Sequence, residues 1–243
     1  MRTSRREFLG AGLAGLAVGE WPRRRAPTPN SPQAGTTVLL FQGDSITDCS
    51  RNRQITTPND PRALGTGYPL LLTAALRERH PARDLQVFNR GVSGDKVIDL
   101  RARWQSDTLA LHPAIISILV GVNDLWHTLS GRYDGTVEKY QAGYDALLAS
   151  TRNALPGVTL IVLEPFALRT GAVTDAWFPE FDRYRAAADR VARTNDAVFV
   201  PLHDMFQELA RQNGPAYWAA DGVHPTLAGH EAIARKWLEI VAI

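Results

Sequence analysis

Short apolar runs alternate with longer amphipathic stretches along most of this chain, and that alternation limits its folding more than any other feature. The runs at 38–41, 85–88, 114–120, 159–163 and 197–200 have the length and apolar continuity of buried strands. Between and after them, 68–79, 96–110, 137–154, 179–194, 202–211 and 227–238 carry helical spacing. A strand buried on both faces reads as a continuous apolar run, so this repetition predicts a parallel sheet with helices on both sides. No internal repeat or low-complexity tract interrupts the pattern. With 243 residues, 44% of them apolar, the chain suits one sizeable domain.

The first 35 residues read differently. Arg5-Arg6 stands just before an apolar segment of 11 residues, 8–18, rich in Gly and Ala. That segment is too short to span a bilayer as a helix and fits the apolar region of a signal peptide. The pattern resembles a twin-arginine signal, with a small-residue cleavage site at Ala17-Val18-Gly19. Residues 20–35 hold four prolines and three consecutive arginines, a composition that favours an extended linker. The expected organisation is a signal peptide and linker over 1–35 and a single domain over 36–243. The twin-arginine export machinery would be a partner during secretion. The mature protein is expected to be secreted or periplasmic, with no stable membrane association, since no other segment approaches membrane-spanning length.

Charge and cysteine usage exclude several classes. The formal charge of +2 conceals an asymmetry: residues 1–35 carry a net +4, so the remaining 208 sum to −2. A mildly acidic domain argues against a nucleic-acid partner. Basic residues are 24 Arg against three Lys, which fits a GC-rich bacterial genome. The single cysteine, Cys49, permits neither an intramolecular disulfide nor a cysteine metal cluster. It reads as a small buried residue, since no histidine adjoins it in sequence.

In an open parallel sheet, function collects past the carboxyl ends of the strands, and four polar loops of this chain lie there or before the last helix. "QGDSITDC" (42–49) follows the first strand, Asn89-Arg90-Gly91-Val92-Ser93-Gly94-Asp95 the second, and Gly121-Val122-Asn123-Asp124 the third; Asp221-Gly222-Val223-His224-Pro225 precedes the final helix. A serine hydroxyl needs a base to become a nucleophile. His224 is the natural base for Ser45, and Asp221, three residues earlier, can hold the other ring nitrogen. Acyl transfer also needs donors for a developing oxyanion; the N–H groups of Ser45 and Gly94 and the Asn123 amide could supply them. Each feature alone has a plain structural reading: the Asp/His pair as a turn, the glycines as shapers of a loop, Asn123 as a helix cap.

Together these blocks resemble the SGNH/GDSL hydrolase family: Gly43-Asp44-Ser45, Asn89-x-Gly91-x-x-Gly94, Gly121-x-Asn123-Asp124 and Asp221-x-x-His224, in the family's order and over nearly the whole chain from about 36 to 243. Ile46 stands where the first block carries leucine, at a packing position. The resemblance implies a flavodoxin-like three-layer α/β/α sandwich with a five-stranded parallel sheet. It also implies a triad of Ser45, His224 and Asp221, and an oxyanion hole of Ser45, Gly94 and Asn123. The flanking stretches "LGTGYP" (64–69), "NRGVSGDKVIDLRARW" (89–104) and "ADGVHPTLAGH" (220–230) are similar to a bacterial subgroup that includes acetylxylan esterases. The implied reaction is removal of acetyl groups from carbohydrate through an acyl-enzyme, with an acetylated carbohydrate or other small ester as substrate and no cofactor. The alternatives are a lipolytic or thioester hydrolase acting on longer acyl chains, and a non-catalytic carbohydrate or cell-wall binding module.

Other residues carry weaker expectations. The G-x-S-x-G nucleophile elbow is absent. His80, His112, His127, His203 and His230 lack metal-ligand spacing, so no metal is expected. Asp95 and Asp124 are expected to support the site by hydrogen bonding. Trp126 and Trp218 adjoin site loops and could stack on a sugar ring, although wall or core is their commoner role; Arg90 could touch a substrate oxygen.

Overall fold

The structure, a computed structural model, describes residues 35–242; the expected signal peptide and all but the last residue of the linker lie outside them. In chain order the elements are β1 (Thr37–Gly43), α1 (Ser45–Asp48), α2 (Pro61–Leu64), α3 (Tyr68–Arg79), β2 (Leu85–Asn89), α4 (Val97–Asp107), β3 (Ile115–Leu119), α5 (Val122–Leu129), α6 (Val137–Ala154), β4 (Thr159–Leu163), α7 (Glu180–Thr194), β5 (Val198–Val200), α8 (His203–Asn213), α9 (Pro215–Trp218) and α10 (Leu227–Ile240). All five predicted strands and all six predicted helices are present, with ends shifted by no more than three residues.

The strands form one all-parallel sheet in the order β2-β1-β3-β4-β5, the flavodoxin-like order and the expected α/β fold. β3 is buried at every position and β1 from Leu39 onward, which is why their sequences show no polar alternation. The first crossover, through α3, runs from β1 to β2, opposite to all later ones. Right-handed crossovers therefore put α3 on one face of the sheet and α4, α6 and α7 on the other. α10 packs beside α3, and α6 lies against both α4 and α7.

The core is continuous across the layers. Phe41 of β1 meets Tyr68 edge-on at 5.6 Å and lies 6.4 Å from Trp237 of α10. The Trp237 indole N–H donates to Ser117 Oγ on β3 at 3.0 Å, and this gives the polar residue in the middle of the sheet its partner. The strand order reverses between β1 and β3, and in open parallel sheets ligands bind outside the carboxyl ends of the strands at that point. Ser45 and Asn123 both lie just past those two strands.

Candidate active site

Ser45 opens α1, a single turn set directly on the end of β1. Asp44 caps that turn, its Oδ1 accepting the Ile46 N–H at 3.0 Å. Ser45 thus occupies the first helical position, where the backbone N–H has no intrahelical acceptor and is free to serve a ligand. The hydroxyl lies 2.8 Å from His224 Nε2. On the other side of the ring, His224 Nδ1 is 2.6 Å from Asp221 Oδ2.

These contacts settle the tautomer. A carboxylate only accepts, so Nδ1 carries the hydrogen and Nε2 presents a lone pair to the Ser45 hydroxyl. Burial raises the Asp221 carboxyl, but hydrogen bonds from the His224 ring and from the backbone N–H groups of His224 and Val223 outweigh it and hold the group below the usual range. Asp221 therefore stays ionised beside the imidazole. The side chains of His224 and Asp221 are 44% and 40% exposed, so the site opens on the surface.

The Asp221–His224 loop is held by a segment that sequence reasoning missed. After β4, Leu168 N–H donates to the Gly222 carbonyl and Ala172 N–H to that of Asp221. Gly222 has φ +87°, and a Cβ there would lie 2.4 Å from the Leu168 carbonyl oxygen. Only glycine fits both that conformation and that approach. No local sequence signal marks this brace, because the partners are some fifty residues apart.

The second and third loops meet. The Asn123 side-chain NH₂ donates to the Asp95 carbonyl at 3.2 Å, which orients the amide and leaves its second hydrogen available. Gly94 adopts φ +89°, and a Cβ there would meet only the edge of the His127 ring, at 4.0 Å. Arg103, also missed from sequence, ties the loops together. Its guanidinium donates to Asp95 Oδ2 at 2.7 Å, to the Arg90 carbonyl at 2.8 Å, to Gln42 Oε1 at 3.0 Å and to the Gly43 carbonyl at 3.3 Å. The planar fork of arginine suits such a multiple contact.

The weaker candidates separate. The Trp126 ring stands 6.2 Å from the His224 ring and 5.6 Å from Trp177, forming a half-buried wall of the site. Trp218 belongs to the core: it is 9% exposed, and its indole N–H donates to the Leu209 carbonyl at 2.9 Å. The stacking role considered for it is thereby corrected, since its ring is packed and its polar edge engaged. The Arg90 guanidinium lies over Phe88, 5.8 Å from the ring centroid, and no contact joins it to Ser45, Asn123 or His224 among the described residues.

Cys49, which has no histidine near it along the chain, has one beside it in space. Its Sγ is 3.3 Å from His230 Nε2. The ring's Nδ1 accepts the Tyr68 N–H at 3.2 Å, and burial keeps the imidazole neutral by lowering it to about 4. The ring hydrogen is thus on Nε2, which cannot take a proton from the thiol, so Cys49 lacks the activation a nucleophile needs.

Asp44 is fully buried and its Oδ2 has no hydrogen-bond partner. Burial pushes the carboxyl up from 3.8 to about 7. Between those values the unfolded chain has ionised this group while the fold still holds the proton. The associated stabilisation is full below the lower value and is lost as pH rises through the upper one. Asp44→Asn removes the group from the balance. In urea unfolding, the variant's stability relative to wild type is expected to rise by ~2–4 kcal/mol between pH 4 and pH 8. A difference that stays constant with pH would mean that the carboxyl is ionised in the fold.

Comparison with known proteins shows which family the chain belongs to. Residues 41–232 match the GDSL-like lipase/acylhydrolase family. The chain is 35% identical over 208 residues to an acetylxylan esterase of Geobacillus stearothermophilus, covering 82% of this chain and 91% of that one. Among solved structures, a candidate GDSL-like lipase from Parabacteroides merdae superposes with a TM-score of 0.82 at 43% identity, covering 84% of this chain and 94% of the other. Axe2, the acetylxylan esterase from Geobacillus stearothermophilus, gives 0.77 at 33%, over 86% and 96%. Axe2 has also been solved as two catalytic mutants, one with a histidine and one with a serine replaced by alanine.

Proposed function

The chain belongs to the GDSL-like lipase/acylhydrolase family and is a carboxylic ester hydrolase, and on that premise we propose that it is an exported serine esterase that removes acetyl groups from acetylated carbohydrate. The observation that carries the reading is the relay at the end of β1: Ser45 Oγ at 2.8 Å from His224 Nε2, with Asp221 at 2.6 Å from Nδ1. The similarity to acetylxylan esterases supports acetyl as the acyl group. An exposed histidine and aspartate suit an ester carried on a bulky chain. The Arg5-Arg6 pattern supports export.

The geometry supports the following reaction. Ser45 Oγ attacks the ester carbonyl carbon while His224 Nε2 takes the hydroxyl proton. The carbonyl oxygen becomes an oxyanion facing the N–H groups of Ser45 and Gly94 and the Asn123 amide. The tetrahedral adduct collapses, the C–O bond to the sugar breaks, and the imidazolium returns its proton to the leaving sugar oxygen. Water then attacks acetyl-Ser45 with His224 again as base, releasing acetate and restoring the hydroxyl.

Asn123→Ala is expected to lower kcat by about 10²- to 10³-fold with little change in KM, because the lost donor acts mainly once charge develops on the oxygen. Full kcat in the folded variant would make the third loop structural. The substrate reading is tested with p-nitrophenyl esters from acetate to palmitate and by acetate release from acetylated xylan. Acetate preference with release from the polysaccharide is expected; preference for long chains would identify a lipolytic enzyme, and no turnover a binding module.

A further inference from the structure

A concave site lies between α4 and α6, and neither Ser45 nor His224 lines it. It is a cleft of about 310 Å³, close to the lower end of small-ligand pockets and enough for one sugar-sized molecule. The two helices approach closely at Gly143, where an added Cβ would come 3.2 Å from Val97 Cγ1. Asp124, 1% exposed, is among its lining residues, with Tyr133, Arg101 and Lys139.

The chemistry of these groups is specific. The Asp124 carboxyl receives one backbone N–H, that of Val97, at 3.3 and 3.4 Å from its two oxygens. Both contacts are long, and a carboxyl has about four lone-pair sites, so capacity remains for a ligand. Burial pushes this carboxyl up to about 7, so below neutrality it is largely protonated, donates as well as accepts, and does not repel an anion. The Tyr133 ring has two neighbours: Lys96 Nζ lies 5.3 Å from its ring centroid, and the ring packs on Gly135 where a Cβ would fall. Arg101 and Lys139 are exposed. Among the described residues, Lys139 is otherwise paired only with Asp134, through its carbonyl and its fully exposed carboxylate. An exchange of that surface pair for a ligand costs little.

We infer that this cleft is a non-catalytic binding site for a sugar acid, a pyranose-sized hydroxylated carboxylate. Its carboxylate meets Arg101 and Lys139, a hydroxyl meets Asp124, and its ring lies along Tyr133. Two cations select the carboxylate by charge-assisted hydrogen bonds, and a buried carboxyl selects a hydroxyl over an apolar group. In an enzyme acting on carbohydrate, such a site would hold an acidic unit of a chain away from the ester being cut. Binding itself does not depend on the esterase reading.

The test is a titration of the whole protein at pH 6 with glucuronate, followed by NMR shifts of the amides around Gly143 and Tyr133. Saturation with a dissociation constant on the order of 1 mM is expected, and glucose should bind at least about tenfold more weakly. Arg101→Ala and Lys139→Ala should each weaken glucuronate about tenfold while leaving the rate on p-nitrophenyl acetate unchanged. The inference is overturned if glucuronate gives no saturable shifts at these amides, if glucose binds equally well, or if both variants bind like wild type. Because the titration reads binding and the ester assay reads turnover, either reading can fail without the other.

Discussion

Ser45→Ala is expected to lower kcat on an acetate ester by about 10⁶-fold while leaving the fold intact. The size follows from the step removed: without the hydroxyl there is no acyl-enzyme, and only the oxyanion donors and substrate binding remain to assist water. The fold should survive because, among the described residues, the Ser45 side chain bonds only to His224, and alanine suits the first position of a helical turn. The cap of that turn comes from Asp44, which is untouched. Steady-state rates on p-nitrophenyl acetate with circular dichroism on the same sample make the measurement. Hydrolysis within tenfold of wild type would remove Ser45 from the chemistry.

Asp221→Asn should cost about 10⁴-fold in kcat, and the structure says why so conservative a change is so severe. Asp221 Oδ1 accepts two backbone N–H groups, from Val223 at 2.9 Å and His224 at 2.7 Å. An asparagine keeps those bonds only by setting its amide oxygen there. Its NH₂ then faces His224 Nδ1, which must accept rather than donate. The ring hydrogen moves to Nε2, opposite Ser45, and the base can no longer take the serine proton. Loop and fold persist, so the loss appears in kcat with little change in unfolding midpoint. A loss below tenfold would reduce Asp221 to a shaper of its turn.

The sheet was legible because its strands are buried on both faces and its turns are local. Val38-Leu39-Leu40-Phe41 and Thr159-Leu160-Ile161-Val162-Leu163 read as strands before any contact is known. α5 was not predicted, although it carries Asn123. Its N-cap is Gly121 at φ +134°, with no side-chain capping bond, so the usual start signal is missing. The candidate site residues stand out in the sequence as four short blocks, but their supports do not. The Arg103 fork, the brace of Leu168 and Ala172 behind Asp221, and the pairing of Cys49 with His230 across 181 positions are tertiary contacts, and nothing local encodes them. Trp218 illustrates the reverse: a neighbour of the Asp/His loop in sequence that turns into the core.

The claim that Ser45 is an activated nucleophile is tested most directly by covalent labelling. Incubation with phenylmethylsulfonyl fluoride, followed by intact mass and peptide mapping, should find one sulfonyl group on the peptide containing Ser45, with esterase activity lost in proportion. Ser45→Ala should take up no label. Label confined to Cys49 or another residue, or full activity with Ser45 modified, would contradict the account.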